Sequence, residues 1–493
     1  VWIKTGSHTF VDCTFSDNSA VYGGAIRFDS TGDLTLTRTT FSNNSATGDA
    51  GALSFGSGKT TATDCVFTGN SAPAGGAIDC FGSVELSILG GEFSSNSATS
   101  TNGGAIAVEE GAKLTVDQSS TSGTEFIGNS SVRYGGALDI ETTTSSIENK
   151  IKYAIFKGNH AHDGGAIATD GPKKTTKVII DDCTFGGTAD GEPNYVTTSS
   201  SVTGSSYGGA ILAENDSFVN IATSSFIGNH AKHDQYGGAI CALGDAYVNL
   251  FSDSFIGNYA GTGGVAFTNK SGSKYPRLFV DECSFDANYI TKNYGCVFNI
   301  ASASHFIMHN SSVRGSYNSA SVTGEKACWI DFDGIQDCTS ISNCSIIGGA
   351  ESSSLVWSCG GSWTDYFTNN IIVQDNNSEK SIHSDGNTLN VSYTVYSASS
   401  SIATSDNNTG GKSSGDIDGL AWSNDSSSSY YWKWNGTFGG VAPSKTNKTD
   451  VTSRVNTASS AFVTWSGGDF GKDQRGVSRG NGDWWPGAYQ NNE

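Results

Sequence analysis

One unit recurs along this chain: a phenylalanine, two variable residues, an asparagine and, after a short variable stretch, Gly-Gly-Ala with an aliphatic residue. It reads FSDNSAVYGGAI from Phe15, FTGNSAPAGGAI from Phe67 and FKGNHAHDGGAI from Phe156. The first units lie 26 residues apart and the later ones mostly 29 to 33, a period that is typical of solenoid proteins. A unit this short cannot bury its apolar face alone, so its copies must stack on one another.

Each unit predicts strands and shows no helical period. Aliphatic residues alternate with other residues ahead of the phenylalanine, as in the pairs Leu34/Leu36 and Val178/Ile180. Alternation with a period of two indicates a strand with one buried face. The aliphatic pair, the residues around Phe and the Gly-Ala-Ile stretch give three short strands per coil. We therefore predict an all-β fold, a parallel β-helix (solenoid), and expect it to be right-handed from the crossover rule for parallel strands.

The asparagine of each unit is predicted to lie at a turn. There its amide can bond the turn backbone and the equivalent asparagine of a neighbouring coil. These turn asparagines are Asn18, Asn44, Asn70, Asn96, Asn129, Asn159, Asn229, Asn258 and Asn288. The paired glycines are predicted to allow a positive φ where the chain bends. The repeat is thus interpreted as architecture.

Composition argues against several classes of function. The formal net charge is −20, which argues against a nucleic-acid partner, since phosphate binding needs clustered Lys and Arg. No apolar run is long enough for a membrane-spanning helix. Charged residues make up only 15% and aromatic residues 11%, a balance that favours a packed core over disorder. We predict no cofactor.

The pattern changes twice along the chain. Residues 1–305 carry the regular repeat, and residues 306–400 read as irregular coils of the same helix. Residues 401–493 are rich in Ser, Asn and Trp and are interpreted as a capping or assembly region, because a solenoid must cover its last apolar edge. A carbohydrate platform is the alternative. Candidate assembly or glycan contacts are Trp2, Trp432, Trp434, Trp484 and Trp485.

The combination of FxxN with GGA[ILV] resembles the repeats of chlamydial polymorphic membrane proteins and similar surface proteins of bacteria and protists. The resemblance covers about residues 10–300, with both motifs recurring in register. It implies a β-helix that forms the surface-exposed part of an adhesin.

The end of the chain carries a second resemblance. The stretch DQRGVSRGNGDWWPGAYQ, residues 473–490, is similar to the ending of secreted bacterial β-helix proteins of the choice-of-anchor type. The matching residues are Asp473, Arg475, Gly476, Arg479, Gly487, Ala488 and Tyr489. This resemblance implies a secreted protein.

No catalytic or metal-binding residues are predicted. The acidic pairs considered, such as Asp181-Asp182 and Asp281-Glu282, follow the repeat, and Asp12, Asp64 and Glu282 each stand three residues before a motif Phe. A position that recurs in many coils favours a structural role over a catalytic one. The histidines at 160, 162, 230 and 233 are predicted to face solvent in equivalent loops. Disulfides are expected among Cys328, Cys338, Cys344 and Cys359, as in other extracellular proteins.

The Asn-x-Ser/Thr signals of the later coils make glycosylation another hypothesis. The candidate sites are Asn376, Asn390, Asn407, Asn424, Asn435 and Asn447.

Together these features predict a non-enzymatic, extracellular or cell-surface protein with a structural or adhesive role. A filament subunit that assembles head to tail is one version, since the segment VWIKTGSHTFV at residues 1–11 already resembles the middle of a coil. The partners expected are further copies of the chain, or cell-surface and glycan contacts. A polysaccharide lyase or hydrolase is one alternative, and a glycan-binding module that uses the C-terminal tryptophans is another.

Overall fold

The computed structural model describes most of the first 400 residues and three short stretches beyond them. The described residues are 1–120, 122–142, 147–171, 177–198, 202–292, 294–302, 304–315, 317–318, 328–334, 339–348, 354–359, 364–374, 381–392, 394–396, 402–406, 420–424 and 430–434. They contain strands and turns and no α-helix. The chain divides into two compact units, 1–247 and 248–493.

In the first unit, parallel strands stack into two long sheets, which we call A and B. Sheet A holds Trp2–Ile3, Ile26–Phe28, Leu53–Phe55, Ile78–Cys80, Ile106–Glu110, Leu138–Thr142, Ile167–Gly171, Ile211–Asn215 and Ile240–Leu243. Sheet B holds His8–Val11, Asp33–Thr37, Lys59–Thr63, Glu85–Leu89, Lys113–Asp117, Glu148–Lys152, Lys177–Asp181 and Phe218–Ala222. Each strand pairs with its counterpart one repeat later, which is the topology of a parallel β-solenoid.

Two further sheets, C and D, complete the coils of this unit. Sheet C holds Thr14–Ser16, Thr40–Ser42, Val66–Thr68, Gly91–Ser94, Thr124–Ile127, Ile155–Lys157, Thr184–Gly186 and Ser225–Ile227. Sheet D holds Ser19–Ala20, Ser45–Ala46, Ser71–Ala72, Ser97–Ala98, Ser130–Ser131, His160–Ala161, Tyr195–Val196 and His230–Tyr236.

The second unit repeats the pattern with fewer described strands. Its strands of type A are Ala266–Asn269, Phe298–Ala301, Ile330–Asp333, Val356–Cys359 and Ile382–Asp385; its strands of type B are Tyr247–Phe251, Arg277–Asp281, His305–His309, Thr339–Ser342, Thr364–Thr368, Thr388–Ser392 and Ile402–Asp406. Sheet C includes Ser254–Ile256, Ser284–Asp286, Ser312–Arg314, Ser345–Ile347, Ile371–Val373 and Val395–Tyr396; sheet D includes Tyr259–Thr262, Tyr289–Ile290 and Tyr317–Asn318. An antiparallel pair, Leu420–Asn424 with Tyr430–Trp434, follows. The predicted boundaries at residues 305 and 400 stay predictions.

The prediction of a parallel β-helix is confirmed, with one difference in detail. Three strands per coil were expected, and sheet D adds a short fourth strand at the start of the stretch interpreted as a loop. Its cause is local: the backbone N–H of Ser45 donates to the carbonyl of Asn18 one coil earlier at 2.8 Å. The residues directly after each turn asparagine therefore keep the parallel pairing, and the variable loop begins later.

The motif phenylalanines form the spine of the core. In the first unit the rings from Phe15 to Phe226 stack face to face, with centroids 4.6 to 5.1 Å apart. This spacing equals the distance between paired strands, about 4.8 Å. Each ring therefore contacts the rings of the coils before and after it, and stacked aromatic rings contribute beyond the area they bury.

Sharp corners separate the sheets. The residue three before the motif Phe takes a left-handed conformation, with φ of 53° at Asp12, 50° at Asp64 and 56° at Glu282. These acidic residues mark the corner between sheets B and C. The Gly-Gly corner before sheet A is tighter: a Cβ at Gly103 would lie 2.5 Å from the carbonyl oxygen of Ile106, and one at Gly104 would lie 2.0 Å from that of Gly136. Only glycine fits there.

Candidate functional site

The turn asparagines form a ladder of hydrogen bonds at the corner between sheets C and D. Asn44 shows the pattern: its Nδ2 donates to Oδ1 of Asn70 at 3.0 Å and to the carbonyl of Phe15 at 2.9 Å. In the first unit the ladder runs through Asn18, Asn44, Asn70, Asn96, Asn129, Asn159, Asn194 and Asn229. Asn258 and Asn288 make the same bond in the second unit. Because these side chains bond to one another and to the backbone, the turn asparagines have a structural role.

Asn194 was missed by the sequence reasoning. It follows Phe185 by nine residues instead of three, because the corner of that coil carries an insertion. Its Nδ2 still donates to the carbonyl of Phe156 at 2.8 Å and to Oδ1 of Asn229 at 2.9 Å. The available signal was the following Tyr-Val, which pairs with His160-Ala161 in sheet D.

Of the predicted tryptophan contacts, Trp2 is placed in full. It is 61% exposed, its indole N–H donates to Asp29 at 2.7 Å, and Lys4 lies 3.7 Å above its ring. The backbones of Trp432 and Trp434 lie in the antiparallel pair. Trp484 and Trp485 fall outside the described residues. Of the glycosylation candidates, Asn390 is half-buried in sheet B and Asn424 lies in a strand; the described ranges leave out Asn376, Asn407, Asn435 and Asn447.

A row of carboxylates on the outer face of sheet A is the most unusual chemical feature of the first unit. We call it the acidic column: Glu109, Glu141, Asp170 and Glu214, one from each of four consecutive coils. The strand register pairs each with the next, Glu109 with Glu141, Glu141 with Asp170, and Asp170 with Glu214. Paired strands lie about 4.8 Å apart, so like charges are repeated at that interval.

Two buried carboxyl groups lie beside this column. Asp139 and Asp79 face the same side of sheet A two residues before the column position, and they are only 2% and 3% exposed. The carboxyl group of Asp139 lies close enough to that of Glu141 for the two to affect each other's pKa. Oδ2 of Asp139 and Oδ1 of Asp79 have no hydrogen-bond partner among the described residues.

Mutual repulsion and burial suppress ionisation in this region. Burial and then the charges of Glu141, Glu109 and Asp170 raise the pKa of Asp139 well above its ordinary value. Burial, with repulsion from Asp170 and further carboxylates, raises the pKa of Glu214 to about 7. Burial followed by the charge of Glu141 also raises the pKa of Glu109. The site therefore holds protons at pH values where exposed carboxylates have lost theirs.

The two ends of the column differ in the polar and charged groups that surround their carboxylates. At one end, Asn215 Nδ2 donates to Asp170 Oδ1 at 2.8 Å, and the exposed Arg133 lowers the pKa of Glu214 against the effects that raise it. At the other end, the charged groups that act on the pKa values of Asp79, Glu109 and Asp139 are carboxylates. Arg133 lowers the pKa of Glu141, but only as the smallest of the effects on that group. The Glu109 end is thus predominantly negative.

The sequence held a signal for the acidic column. Each member is the sixth residue after the first glycine of its motif, as in GGAIAVE, GGALDIE, GGAIATD and GGAILAE. The acidic pairs considered first were neighbours in the chain. The column consists of neighbours across coils and emerges only when the units are aligned on Gly-Gly.

The prediction of solvent-facing loop histidines is wrong for His162 and His230, which are buried. His160 and His230 belong to sheet D, where each ring stacks on Tyr195, with centroids 4.9 and 5.3 Å away. His162 Nδ1 lies 2.8 Å from Asp163 Oδ2. Parallel pairing through the coil of Tyr195 brings the rings of His160, Tyr195 and His230 into one stack. The interpretation of these segments as loops did not predict that stack.

The expectation of disulfides among the later cysteines is wrong for Cys328. Cys328 is a buried free thiol, and burial raises its pKa well above the ordinary value. It therefore forms none of the expected disulfides. Cys338 lies outside the described residues. The thiols of Cys65, Cys183 and Cys283 are buried in the core, as predicted, while Cys13 in the first coil is half-exposed.

The described part of the chain has no group of three or more His, Cys, Asp or Glu side chains with the geometry to hold a metal ion. A search of the same residues finds no helix with the length and hydropathy to cross a membrane.

A family model described as the Chlamydia polymorphic membrane protein repeat matches residues 12–29, 38–56 and 64–80. Each matched stretch runs from the corner before the motif Phe to the strand of sheet A. The resemblance drawn from the FxxN and GGA[ILV] motifs is confirmed there. No curated protein and no solved structure matches the chain significantly.

Proposed function

We propose that this chain is a non-enzymatic structural protein of a cell surface, whose stacked coils hold adhesive loops in the extracellular space. The match to the polymorphic membrane protein repeat carries the proposal, because it lies on the Phe and Asn units that build the coils. The stacked Phe rings and the Asn ladder support it, since both serve rigidity. Variable loops before each Gly-Gly corner are the part that differs from coil to coil.

Surface labelling tests the localisation. Antibody raised against the purified chain, applied to intact cells of its source, is expected to decorate the cell exterior in electron micrographs. Decoration only after the cells are permeabilised contradicts the proposal. Incubation of the chain with acidic and neutral polysaccharides is expected to release no reducing ends or unsaturated products; release that depends on the acidic column would favour the enzyme alternative.

Head-to-tail assembly is a second candidate, supported by one exposed patch. Trp2, Val21 and Tyr22 lie exposed together in the first coils, with Tyr22 43% accessible. Exposed apolar patches of this kind mark association surfaces, and the partner we propose is a second copy of the chain. Sedimentation at increasing concentration is expected to show assemblies that Tyr22→Asp abolishes. The matched control is Tyr153→Asp, at a tyrosine 39% exposed elsewhere; equal loss in both variants contradicts the candidate.

A further inference from the structure

We propose that the Glu109 end of the acidic column binds a linear polyamine, with its ammonium groups donating hydrogen bonds to Glu109, Glu141 and the buried carboxyls beside them. This site goes beyond the surface role proposed above and does not depend on it.

The first support is unsatisfied hydrogen-bonding capacity. Asp79 Oδ1, Asp139 Oδ2 and Asn102 Oδ1 are buried acceptor atoms without a hydrogen-bond partner among the described residues. The amide of Asn102 donates its N–H to Glu141 Oε1 at 3.0 Å, so its oxygen belongs to a group that already contacts the column. Buried acceptors without donors are rare in folded proteins and need an explanation. All three atoms lack the same thing, an N–H or O–H group.

The second support is the sign of the charge. Glu109, Glu141 and Asp139 repel one another, and Asp79 adds to the same field. A proton shared between Asp139 and Glu141 relieves part of the repulsion but still leaves Asp139 Oδ2 without a donor. A ligand that brings positive charge and several N–H donors removes both defects at once, because charge-assisted hydrogen bonds are the strongest of their kind.

Spacing selects among such cations. The carboxylates recur at about 4.8 Å along the column, and amines joined by three methylenes lie about 5 Å apart when extended, from ordinary C–C geometry. Lysine side chains on one face of an extended peptide recur at about 6.7 Å, so they lose register with the coils. A metal ion is disfavoured because the described carboxylates lack a metal-binding arrangement.

The ligand must also be able to reach the buried carboxyl groups. Glu109 and Glu141 are half-exposed, and their long, flexible side chains lie on the same face of sheet A as Asp139. An ammonium group can therefore reach Asp139 Oδ2 when these two side chains rotate apart, without movement of the strands.

Titration calorimetry of the full chain with spermine at physiological salt tests the site. The double variant Glu109→Gln/Glu141→Gln is expected to weaken binding about tenfold or more, from the loss of charge-assisted hydrogen bonds. The matched control is Glu92→Gln/Glu125→Gln, which removes two carboxylates that are likewise paired on adjacent coils, but in sheet C. It is expected to change Kd less than twofold. Melting temperatures show whether each variant is folded.

Several outcomes would overturn the proposal. Equal weakening by both double variants means that spermine responds only to net charge, and absence of binding to the wild type removes the site. Stoichiometric displacement of spermine by CaCl2 at similar concentration makes it a metal site. A lysine-rich peptide that binds more tightly than spermine, and loses affinity in Glu109→Gln/Glu141→Gln, makes the occupant a protein segment.

Discussion

Asn96 Nδ2 donates a hydrogen bond to Asn129 Oδ1 at 2.9 Å, although the two residues are 33 positions apart. The same amide donates to the carbonyl of Phe67, and its oxygen accepts from the backbone and side chain of Asn70. One side chain thus satisfies the buried polar groups of three coils. The first prediction concerns the contribution of this side chain to the free energy of unfolding.

Asn96→Ala is expected to lower the free energy of unfolding by about 4 kcal/mol, because it leaves several buried groups without partners. Asn18→Ala is the control, since Asn18 is exposed in the first coil, and its loss is expected to stay below about 1 kcal/mol. Urea denaturation followed by circular dichroism measures both. Similar losses at the two positions would show that burial of the ladder is unimportant.

Gly104→Ala tests the Gly-Gly corner. The new Cβ would meet the carbonyl of Gly136 at 2.0 Å, and backbone cannot move aside as a side chain can, so a loss of about 3 kcal/mol or more is expected. Gly128→Ala adds a Cβ into open space at a φ of 61°. Only conformational strain of about 1 kcal/mol applies there. Comparison of the unfolding midpoints of the two variants separates the effect of the steric clash at position 104 from that of backbone strain at position 128.

The raised pKa of Glu214 predicts a pH-dependent stability. A carboxyl whose folded pKa lies near 7, above an unfolded value near 4.3, holds its proton more tightly when folded. Its contribution is therefore complete below about pH 4 and is lost as the pH rises to 7, by roughly 3 kcal/mol. Glu214→Gln is expected to flatten this part of the pH profile of unfolding. Glu192→Gln is the control, because a hydrogen bond from Lys157 lowers the pKa of Glu192; a flattened profile in the control would refute the assignment.

The lowered pKa of His230 predicts a stability that changes with pH in the opposite direction, falling as the pH falls. Burial, followed by the charge of Lys232, lowers its pKa to about 4, below the ordinary value near 6.5. The unfolded chain therefore takes up a proton first, and stability is lost as the pH falls from 6.5 to 4, by roughly 3 kcal/mol. His230→Tyr, which copies Tyr195 of the same stack, is expected to remove that loss. Potentiometric measurement of proton uptake on unfolding gives the same quantity independently, and an unchanged uptake would contradict it.

Prediction from sequence succeeded where the relevant contacts repeat in step with the motif. The Phe rings and turn asparagines recur at one offset in each unit, so their stacking follows from the period alone. Asn194 escaped because an insertion moved it away from Phe185. The acidic column and the His160–Tyr195–His230 stack escaped because they depend on which residue of one coil pairs with which residue of the next. That register is set by the folded backbone and is hidden in a chain read residue by residue.

The Phe stack joins Phe41, Phe67 and Phe93 through nearly identical contacts, and the ladder asparagines of the same coils are 26 residues apart. A deletion or tandem duplication of 26 codons, with both ends at equivalent points of a coil, therefore places Phe on Phe and Asn on Asn at the junction and keeps the strands in register. Unequal crossing-over between repeats of the gene can then lengthen or shorten the protein by whole coils while the fold is preserved. The number of coils is in that sense a heritable variable, adjustable in steps of one.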